Sequence, residues 1–415
     1  MMNLSALVIT LTALTLHLIP PLRAEVLPAA PVVVPLNETA RFLAGLPPES
    51  DPVLQNLAGQ RSWQYHADEM NKAWAELEKG RLSKVRNWSA THIPAAAGAK
   101  GTMFYMFSGP DFLYADAIYP GATTYVFCGR EPIGPIPDLS KVRQSRIPGT
   151  LQSLRSSLDS IVSFSFFITN KMKVQLRNHE LEGSLPIMCI FLARSGKTIQ
   201  SIEYVGLDKH GALHPITKPE RGGRITAPGV KITFHGDDPG DLRTLYHFST
   251  DISNGGLEGS GFLSFCEGLA PGNSLVKSAS YLMHNSYFSD IRSFLLRNSS
   301  TLVQDDSGIP VAFLTPDQWD LRLFGRYPGP IPLFKNRAQT KLFELYRNTD
   351  PAPLEFGIGY RHRKGESMLM VARQRTEIPI EEAPRAVTVN GDPIPVAIPV
   401  PQASPTPRPS VPLSQ

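Results

Sequence analysis

One stretch in the first third of the chain constrains the fold more than any other. Residues 102–131 have the sequence TMFYMFSGPDFLYADAIYPGATTYVFCGRE, which predicts a strand, a short helix opened by Pro110 and a second strand. Proline suits a first helical turn because its missing N–H would have no helical partner there. A strand, a helix and a strand in this order begin a parallel α/β sheet.

Later parts of the core alternate between strand and helix patterns, with short turns between 198 and 250 that favour antiparallel pairing. Apolar runs predict strands at 161–168, 198–208, 230–235, 242–250, 301–306, 310–314, 319–325, 356–360 and 367–373. Helical spacing of apolar residues predicts helices at 151–158, 185–193, 262–269 and 287–297. The predicted fold class is therefore α/β, a mixed sheet that opens with a β-α-β unit, with helices packed on it and an N-terminal helical segment.

The two ends of the chain differ from its middle. Residues 1–24 contain an apolar run and resemble a secretory signal peptide, and a Pro-rich linker is predicted at 25–50. An apolar stripe predicts helices in 51–98, and the core domain covers 99–376. In 377–415 proline recurs and aromatic residues are absent, so we expect an extended, disordered Pro-rich tail.

Charge and cysteine content narrow the classes of partner. The formal net charge is +4 and no dense Lys/Arg block occurs, so nucleic acid is not an expected partner. Outside 1–24 no apolar stretch reaches spanning length, and we expect no transmembrane span in the mature chain. No zinc-type spacing occurs, and neither a metal nor a cofactor is predicted. Cys128, Cys189 and Cys266 lie in apolar runs, which favours buried free thiols over a disulfide.

Several motif-like stretches fail on spacing. The segment 194–198, RSGKT, lacks the upstream glycine of a phosphate-binding loop, because Phe191 stands there. His235 and His247 would lie roughly 16 Å apart on a hairpin, too far to share one metal ion. The DSG of 306–308 occurs once, whereas a single-chain aspartic protease needs two such motifs.

A polar cluster remains as the candidate catalytic site. Lys277, Tyr281 and His284 would form one stripe on a helix, whereas on a strand only Lys277 and Tyr281 would share a face. An aspartate near them would suit proton transfer or anion binding, and the alternative is that they are solvated or structural polar residues. On a strand, Asp305 and Asp306 point to opposite faces. We expect Asp306 to form an Asx-turn with a left-handed glycine two residues on, which leaves Asp305 for the site.

Ligands of parallel α/β sheets gather at the carboxyl ends of the strands. This rule predicts ligand-binding roles for polar residues that follow the first two strands, and residues of a later segment, FGIGYRH, are added as further candidates. The predicted ligand-binding residues are Ser108, Gly109, Asp111, Glu131, Arg361 and His362.

Taken together, FSGPDFLYADAIYP, KSASYLMH, QDDSGIP and FGIGYRH resemble a group of exported bacterial proteins of unknown function, over about 102–371. The resemblance implies a single periplasmic or envelope domain and transfers no activity. Three functions stay open. The first is an exported, periplasmic or extracellular, binding or structural protein whose partner is a small molecule or an envelope component. The others are an envelope enzyme, with a hydrolase as the candidate class, and a Rossmann-like nucleotide or methyl-donor fold.

Overall fold

A mixed sheet of ten strands forms the centre of the computed structural model, which describes residues 35–166, 181–236, 238, 240–375, 388–389 and 392–393. The strands, in chain order, are β1 Thr102–Tyr105, β2 Thr124–Gly129, β3 Thr198–Leu207, β4 Leu213–Pro215, β5 Ala227–His235, β6 Leu242–Ser249, β7 Gly272–Val276, β8 Ser299–Gln304, β9 Trp319–Gly325 and β10 Met368–Gln374. Thr388–Val389 and Asp392–Pro393 form a separate antiparallel pair, β11 and β12.

Helices precede and connect these strands. They are α1 Leu36–Leu43, α2 Pro52–Ala58, α3 Arg61–Leu77, α4 Ser83–His92, α5 Pro94–Gly98, α6 Phe112–Ile118, α7 Ile147–Phe164, α8 Leu185–Arg194, α9 Asn254–Leu257, α10 Phe262–Glu267, α11 Ser289–Asn298 and α12 Thr340–Asn348. A π-helical turn, Glu78–Leu82, joins α3 to α4. Within the described residues, no helix has the length and apolar character needed to cross a bilayer.

The sheet has a parallel centre and antiparallel edges. Its strand order is β4-β3-β5-β6-β2-β1-β7-β8-β10-β9, and the five strands from β6 to β8 run parallel. In chain order these five are third, second, first, fourth and fifth, which is the order of a doubly wound fold. The strand order reverses between β1 and β7, because β2 lies on one side of β1 and β7 on the other.

Alternating side chains of the strands build two apolar layers. Met103 and Tyr105 of β1 face the layer that contains α1 to α8, whereas Phe104 faces the layer of α10 to α12. Residues of α6 pack in the first layer and residues of α11 in the second. The β1-α6-β2 and β7-α11-β8 units therefore lie on opposite faces of the sheet, and the predicted α/β fold class is confirmed.

Some predicted elements differ from the structure. Residues 36–43 of the predicted linker form α1, because Phe42 and Leu43 are fully buried against the core. The predicted strand 161–168 is helical up to Phe164, because Ile161 continues the apolar face of α7. Residues 311–313 form a 3-10 turn, and 356–360 form a tight turn instead of a strand.

The predicted signal peptide 1–24 lies outside the described residues, as do the start of the linker and most of the tail. Between these ends, the predicted helical segment 51–98 is confirmed as α2 to α5. Cys128, Cys189 and Cys266 are buried and free. Burial raises the pKa of the Cys189 thiol to about 12 and also raises the pKa of Cys128 and Cys266.

Candidate functional site

A cavity of about 660 Å³ lies beyond the carboxyl ends of four parallel strands. Its walls come from the loops after β1, β2, β6 and β7, at residues 106–109, 128–131, 250–252 and 277–280. The cavity therefore stands where the strand order reverses, the place at which doubly wound sheets bind ligands. Apolar and polar surface both line it, with Phe288 and Tyr360 among the aromatic residues.

Lys277 and Asp111, both predicted site residues, meet at the floor of this cavity. Lys277 follows β7 directly, and its Nζ lies 2.8 Å from Asp111 Oδ2. Asp111 caps α6 by accepting the Tyr114 N–H at 3.2 Å, and it also accepts the Tyr105 hydroxyl at 3.0 Å. Lys277 donates a second hydrogen bond to the Ser165 carbonyl. Since each charge has its partner, this buried pair is compensated within the protein.

The helical stripe predicted for Lys277, Tyr281 and His284 does not form. Ser278, Ser280 and Tyr281 have φ values of 52°, 51° and 54°, so the chain after Lys277 is a left-handed loop and not a helix. A 3-10 turn, Leu282–His284, follows. Side chains on such a loop do not share one face, which is why the spacing prediction is wrong here.

Asp305, Tyr281 and His284 lie outside the lining of the cavity. Asp305 instead holds the left-handed loop, because its Oδ2 accepts the Ser278 N–H at 2.9 Å. Tyr281 donates to Asp306 Oδ2 at 2.6 Å, and the His284 ring stands 5.2 Å from the Tyr281 ring. Burial, reinforced by Arg337, lowers the pKa of His284 to about 4. These three predicted catalytic residues therefore pack outside the cavity, next to the loop after β7.

The strained backbone is concentrated in this part of the fold. The non-glycine residues with positive φ in the described ranges are Ser165, Ser278, Ser280 and Tyr281. Three of them follow Lys277 in the loop, and the carbonyl of the fourth accepts its ammonium. Left-handed non-glycine residues persist where the surroundings force them, and they cluster at functional sites.

The QDDSG turn also differs from its prediction. Asp305, and not Asp306, forms the Asx-turn, by accepting the Ser307 N–H at 2.9 Å. Gly308 is not left-handed; a Cβ there would lie 2.4 Å from Gln304 Oε1, so the close side chain explains the glycine. The expected division of roles between the two aspartates is therefore wrong: Asp305 forms the turn and lies outside the cavity lining, and Asp306 accepts the Tyr281 hydroxyl. Burial and the charge of Asp305 raise the pKa of Asp306 to about 7.

Four of the six predicted ligand-binding residues line the cavity: Ser108, Gly109, Asp111 and Glu131. Arg361 and His362 do not. Arg361 donates to the carbonyls of Gly329 and Pro330, and Phe166 lies beside the His362 ring. Arg361 and His362 follow a turn and not a strand that ends at the cavity, so the rule about strand ends does not apply to them.

Glu131 is the least compensated charge in the wall. The residue is 5% exposed, lines the cavity, and its carboxylate has no hydrogen bond or ion pair with the described residues. His247 stands close behind it: a Cβ on Gly129 would lie 2.4 Å from Glu131 Oε2 and 3.4 Å from His247 Cε1. Burial lowers the pKa of His247 to about 4 although Glu131 opposes this, so the imidazole is uncharged at neutral pH. Within the part of the chain that the structure describes, Glu131 thus lines the cavity without an ion-pair partner.

Two hydroxyl groups of the wall were not found from the sequence. Thr250 Oγ1 and Ser278 Oγ are buried and have no hydrogen-bond partner among the described residues, and both residues line the cavity. Each follows a parallel strand, β6 and β7, within two residues of its end. The rule about carboxyl ends could have found them once β6 was recognised as a parallel strand.

Comparisons with protein-family models, with curated proteins and with solved structures found no match to this chain. The topology and the side chains of the cavity therefore carry the functional argument.

Proposed function

We propose that this chain binds a small organic molecule in the cavity at the carboxyl ends of β1, β2, β6 and β7. The observation that carries the proposal is Glu131, which is 5% exposed, lines the cavity, and has no hydrogen bond or ion pair from its carboxylate to the described residues. Buried charges in proteins are normally paired or hydrogen-bonded, so a carboxylate left open toward a cavity calls for a donor on the ligand. That donor is a hydroxyl pair or a cationic nitrogen.

The position of Glu131 favours a hydroxyl pair. In doubly wound folds an acidic residue about 20 residues after the first strand-to-helix turn binds the ribose hydroxyls of a nucleotide. Glu131 lies two residues after the end of β2, at about that distance from Gly109 in the chain. The two residues are also close in space, since a Cβ on Gly109 would be 3.9 Å from Glu131 Oε2. The proposed ligand class is therefore a nucleoside or a nucleoside-like molecule.

Diphosphate-bearing cofactors fit this site poorly. The first turn, residues 107–111, lacks the G-x-G-x-x-G pattern, and the Asp111 carboxylate already accepts the Tyr114 N–H, one of the free N–H groups in the first turn of α6. A phosphate placed there would meet a carboxylate instead of free N–H donors. This argument favours a neutral or cationic ligand over a dinucleotide.

The proposal also includes a location. The predicted signal peptide at 1–24 and the resemblance to exported bacterial proteins support a binding protein of the periplasm or cell envelope. The cavity gives such a protein a ligand site without requiring a catalytic group.

Calorimetric titration with adenosine tests the proposal. We expect adenosine to bind, 2′-deoxyadenosine to bind more weakly, and NAD not to bind. Glu131→Gln keeps the shape of the side chain and removes its charge, so it should weaken adenosine binding about tenfold or more. Glu258→Gln changes an exposed carboxylate and is the matched control. If no nucleoside binds the wild-type chain, or if Glu131→Gln binds adenosine as well as the wild type does, the proposal is wrong.

A further inference from the structure

Two highly exposed apolar side chains belong to segments that are joined by a hydrogen bond. Leu333 is 78% exposed and Tyr287 is 76% exposed, the highest fractions among the large apolar side chains described. The segments that carry them are joined, because Arg337 Nη1 donates to Asn285 Oδ1 at 2.9 Å. We call the two segments, residues 285–288 and 332–343, the Leu333 surface.

The Leu333 surface is held rigidly in its exposed position. Phe334, the next residue, packs its ring 5.0 Å from Tyr281 and 5.3 Å from Tyr360. Prolines at 330 and 332 restrict the backbone before Leu333. Since Phe334 is fixed inward on the 3-10 turn Pro332–Arg337, Leu333 is presented to solvent by the fold itself.

The charges around this surface are mostly of one sign. The surface carries the basic side chains Lys335, Arg337 and Lys341 and no acidic one, and Asp290 lies two residues beyond 285–288. None of these three basic residues forms an ion pair with a described carboxylate. A local excess of positive charge stands out in a chain whose net charge is only +4.

We propose that the Leu333 surface docks on an anionic lipid bilayer. Exposed leucine and tyrosine side chains suit the boundary between headgroups and acyl chains, and lysines and arginines around them attract the phosphates. Each basic residue near such a surface raises the partition coefficient about fivefold. Charge complementarity selects the anionic bilayer, and a rigid apolar tip surrounded by basic residues favours a lipid phase over a protein groove.

This docking would place the cavity at the membrane. Phe288 follows Tyr287 in the chain, and Tyr360 contacts Phe334; both line the cavity. The inference stands independently of the proposed nucleoside ligand, because it rests on a different surface and is measured without any small molecule.

Co-sedimentation of the full chain with vesicles tests the docking. We expect binding to phosphatidylcholine vesicles that contain about one third phosphatidylglycerol, and a loss of binding in high salt. Leu333→Ser and the double variant Lys335→Glu/Lys341→Glu should each lower the partition coefficient about fivefold or more. All three side chains are exposed, so the variants should fold as the wild type does.

Matched controls identify the surface. Leu242→Ser removes another exposed leucine, 56% exposed at the start of β6, and Lys209→Glu/Lys218→Glu changes two exposed lysines near β4. Both controls should bind as the wild type does. Vesicles of pure phosphatidylcholine measure the binding that needs no anionic lipid, such as binding through the apolar run near the N-terminus. The proposal is overturned if the wild-type chain binds anionic vesicles no better than pure phosphatidylcholine vesicles. It is also overturned if the control variants lose as much binding as the Leu333-surface variants.

Discussion

Asp305 and Asp306 are neighbours in the chain with different partners in the fold. Asp305 accepts hydrogen bonds from the Ser278 N–H and from the N–H and hydroxyl of Ser307. Asp306 accepts the Tyr281 hydroxyl. Both carboxyls are buried, and burial raises the pKa of each. The pair therefore holds the loop after β7, and its burial lowers the stability of the fold at high pH.

The raised pKa of Asp306, about 7, predicts a pH dependence of stability. The unfolded carboxyl titrates near 4, so the folded chain binds this proton more tightly. Stability should fall as pH rises from about 4 to 7 and then level off. Asp306→Asn carries no such proton and can still accept the Tyr281 hydroxyl. We expect it to exceed the wild type in stability by about 1–3 kcal/mol at pH 8, as measured by urea unfolding.

The difference in stability between Asp306→Asn and the wild type should shrink toward pH 4.5, where the wild-type carboxyl is protonated in the folded chain. Arg361 opposes the raised pKa, and His284, whose own pKa is lowered to about 4, stays uncharged across this range. Asp320→Asn, at an exposed position of β9, should keep the wild-type pH dependence. An Asp306→Asn variant that is less stable than the wild type at pH 8 would contradict this account.

The rule about strand ends predicted two of the charged residues that line the cavity, Asp111 and Glu131, because the loops after parallel strands meet at one edge of the sheet. Lys277, Tyr281 and His284 are instead predicted from helical spacing, and a left-handed backbone cancels that spacing. Lys277 lines the cavity because it follows β7 directly. The tertiary hydrogen bonds that hold this backbone join residues distant in sequence, so no local pattern encodes them.

At the scale of elements, the loop after β7 is clamped from two directions. Residues 305–307 hold it on one side, and Tyr360 holds it on the other by donating to the Ser278 carbonyl at 2.9 Å. Gly359 connects the two clamps: it has φ +70°, and a Cβ there would lie 2.0 Å from Asp305 Oδ2. The wall of the cavity thus depends on a glycine far away in the sequence.

Gly359→Ala should therefore destabilise the fold through Asp305. The left-handed backbone costs the alanine about 1 kcal/mol, and the displaced carboxylate should raise the total to about 3 kcal/mol. Gly365→Ala is the matched control, because Gly365 has φ +85° and a Cβ there meets nothing within 4 Å. Gly365→Ala should lower the free energy of unfolding only by the cost of the left-handed backbone. Urea unfolding of both variants measures the difference, and equal losses would mean that the contact with Asp305 has no energetic weight.

Element types were predictable where the pattern is local. The β1-α6-β2 unit follows from one continuous stretch of sequence, and α8 follows from a run that is apolar on all sides. Errors arose in short apolar runs such as 161–168 and 310–314, which fit a strand and a helical turn equally well. Packing against the rest of the fold decides between the two.

At the scale of the whole molecule, the strand order was beyond the sequence. Pairing of β1 with β7 joins residues such as Phe104 and Ser274, and no local signal sets such a distant partner. The doubly wound order nevertheless decides where ligands bind, because it places the reversal beside Lys277 and Asp111. The position of the cavity is thus a property of the complete sheet.

The N-terminal helix α1 is likewise part of the core and not of a linker. Phe42 and Leu43 are fully buried, Arg194 donates to the Ala44 carbonyl at 2.7 Å, and the Ile199 N–H donates to Asn37 Oδ1 at 3.1 Å. These contacts fasten α1 to α8 and to the start of β3. Removing the helix would expose the apolar surface that it covers.

Two truncated chains test this role of α1. A chain that begins at Leu36 keeps the helix, whereas a chain that begins at Asp51 lacks it. Full burial of a phenylalanine and a leucine contributes about 1.5–3 kcal/mol each, so we expect the shorter chain to lose about 4 kcal/mol or more in urea unfolding. A chain that ends at Glu377 should keep its stability, because β10 ends at Gln374. If the chains that begin at Leu36 and Asp51 unfold at the same urea concentration, α1 is an appendage and the linker prediction stands.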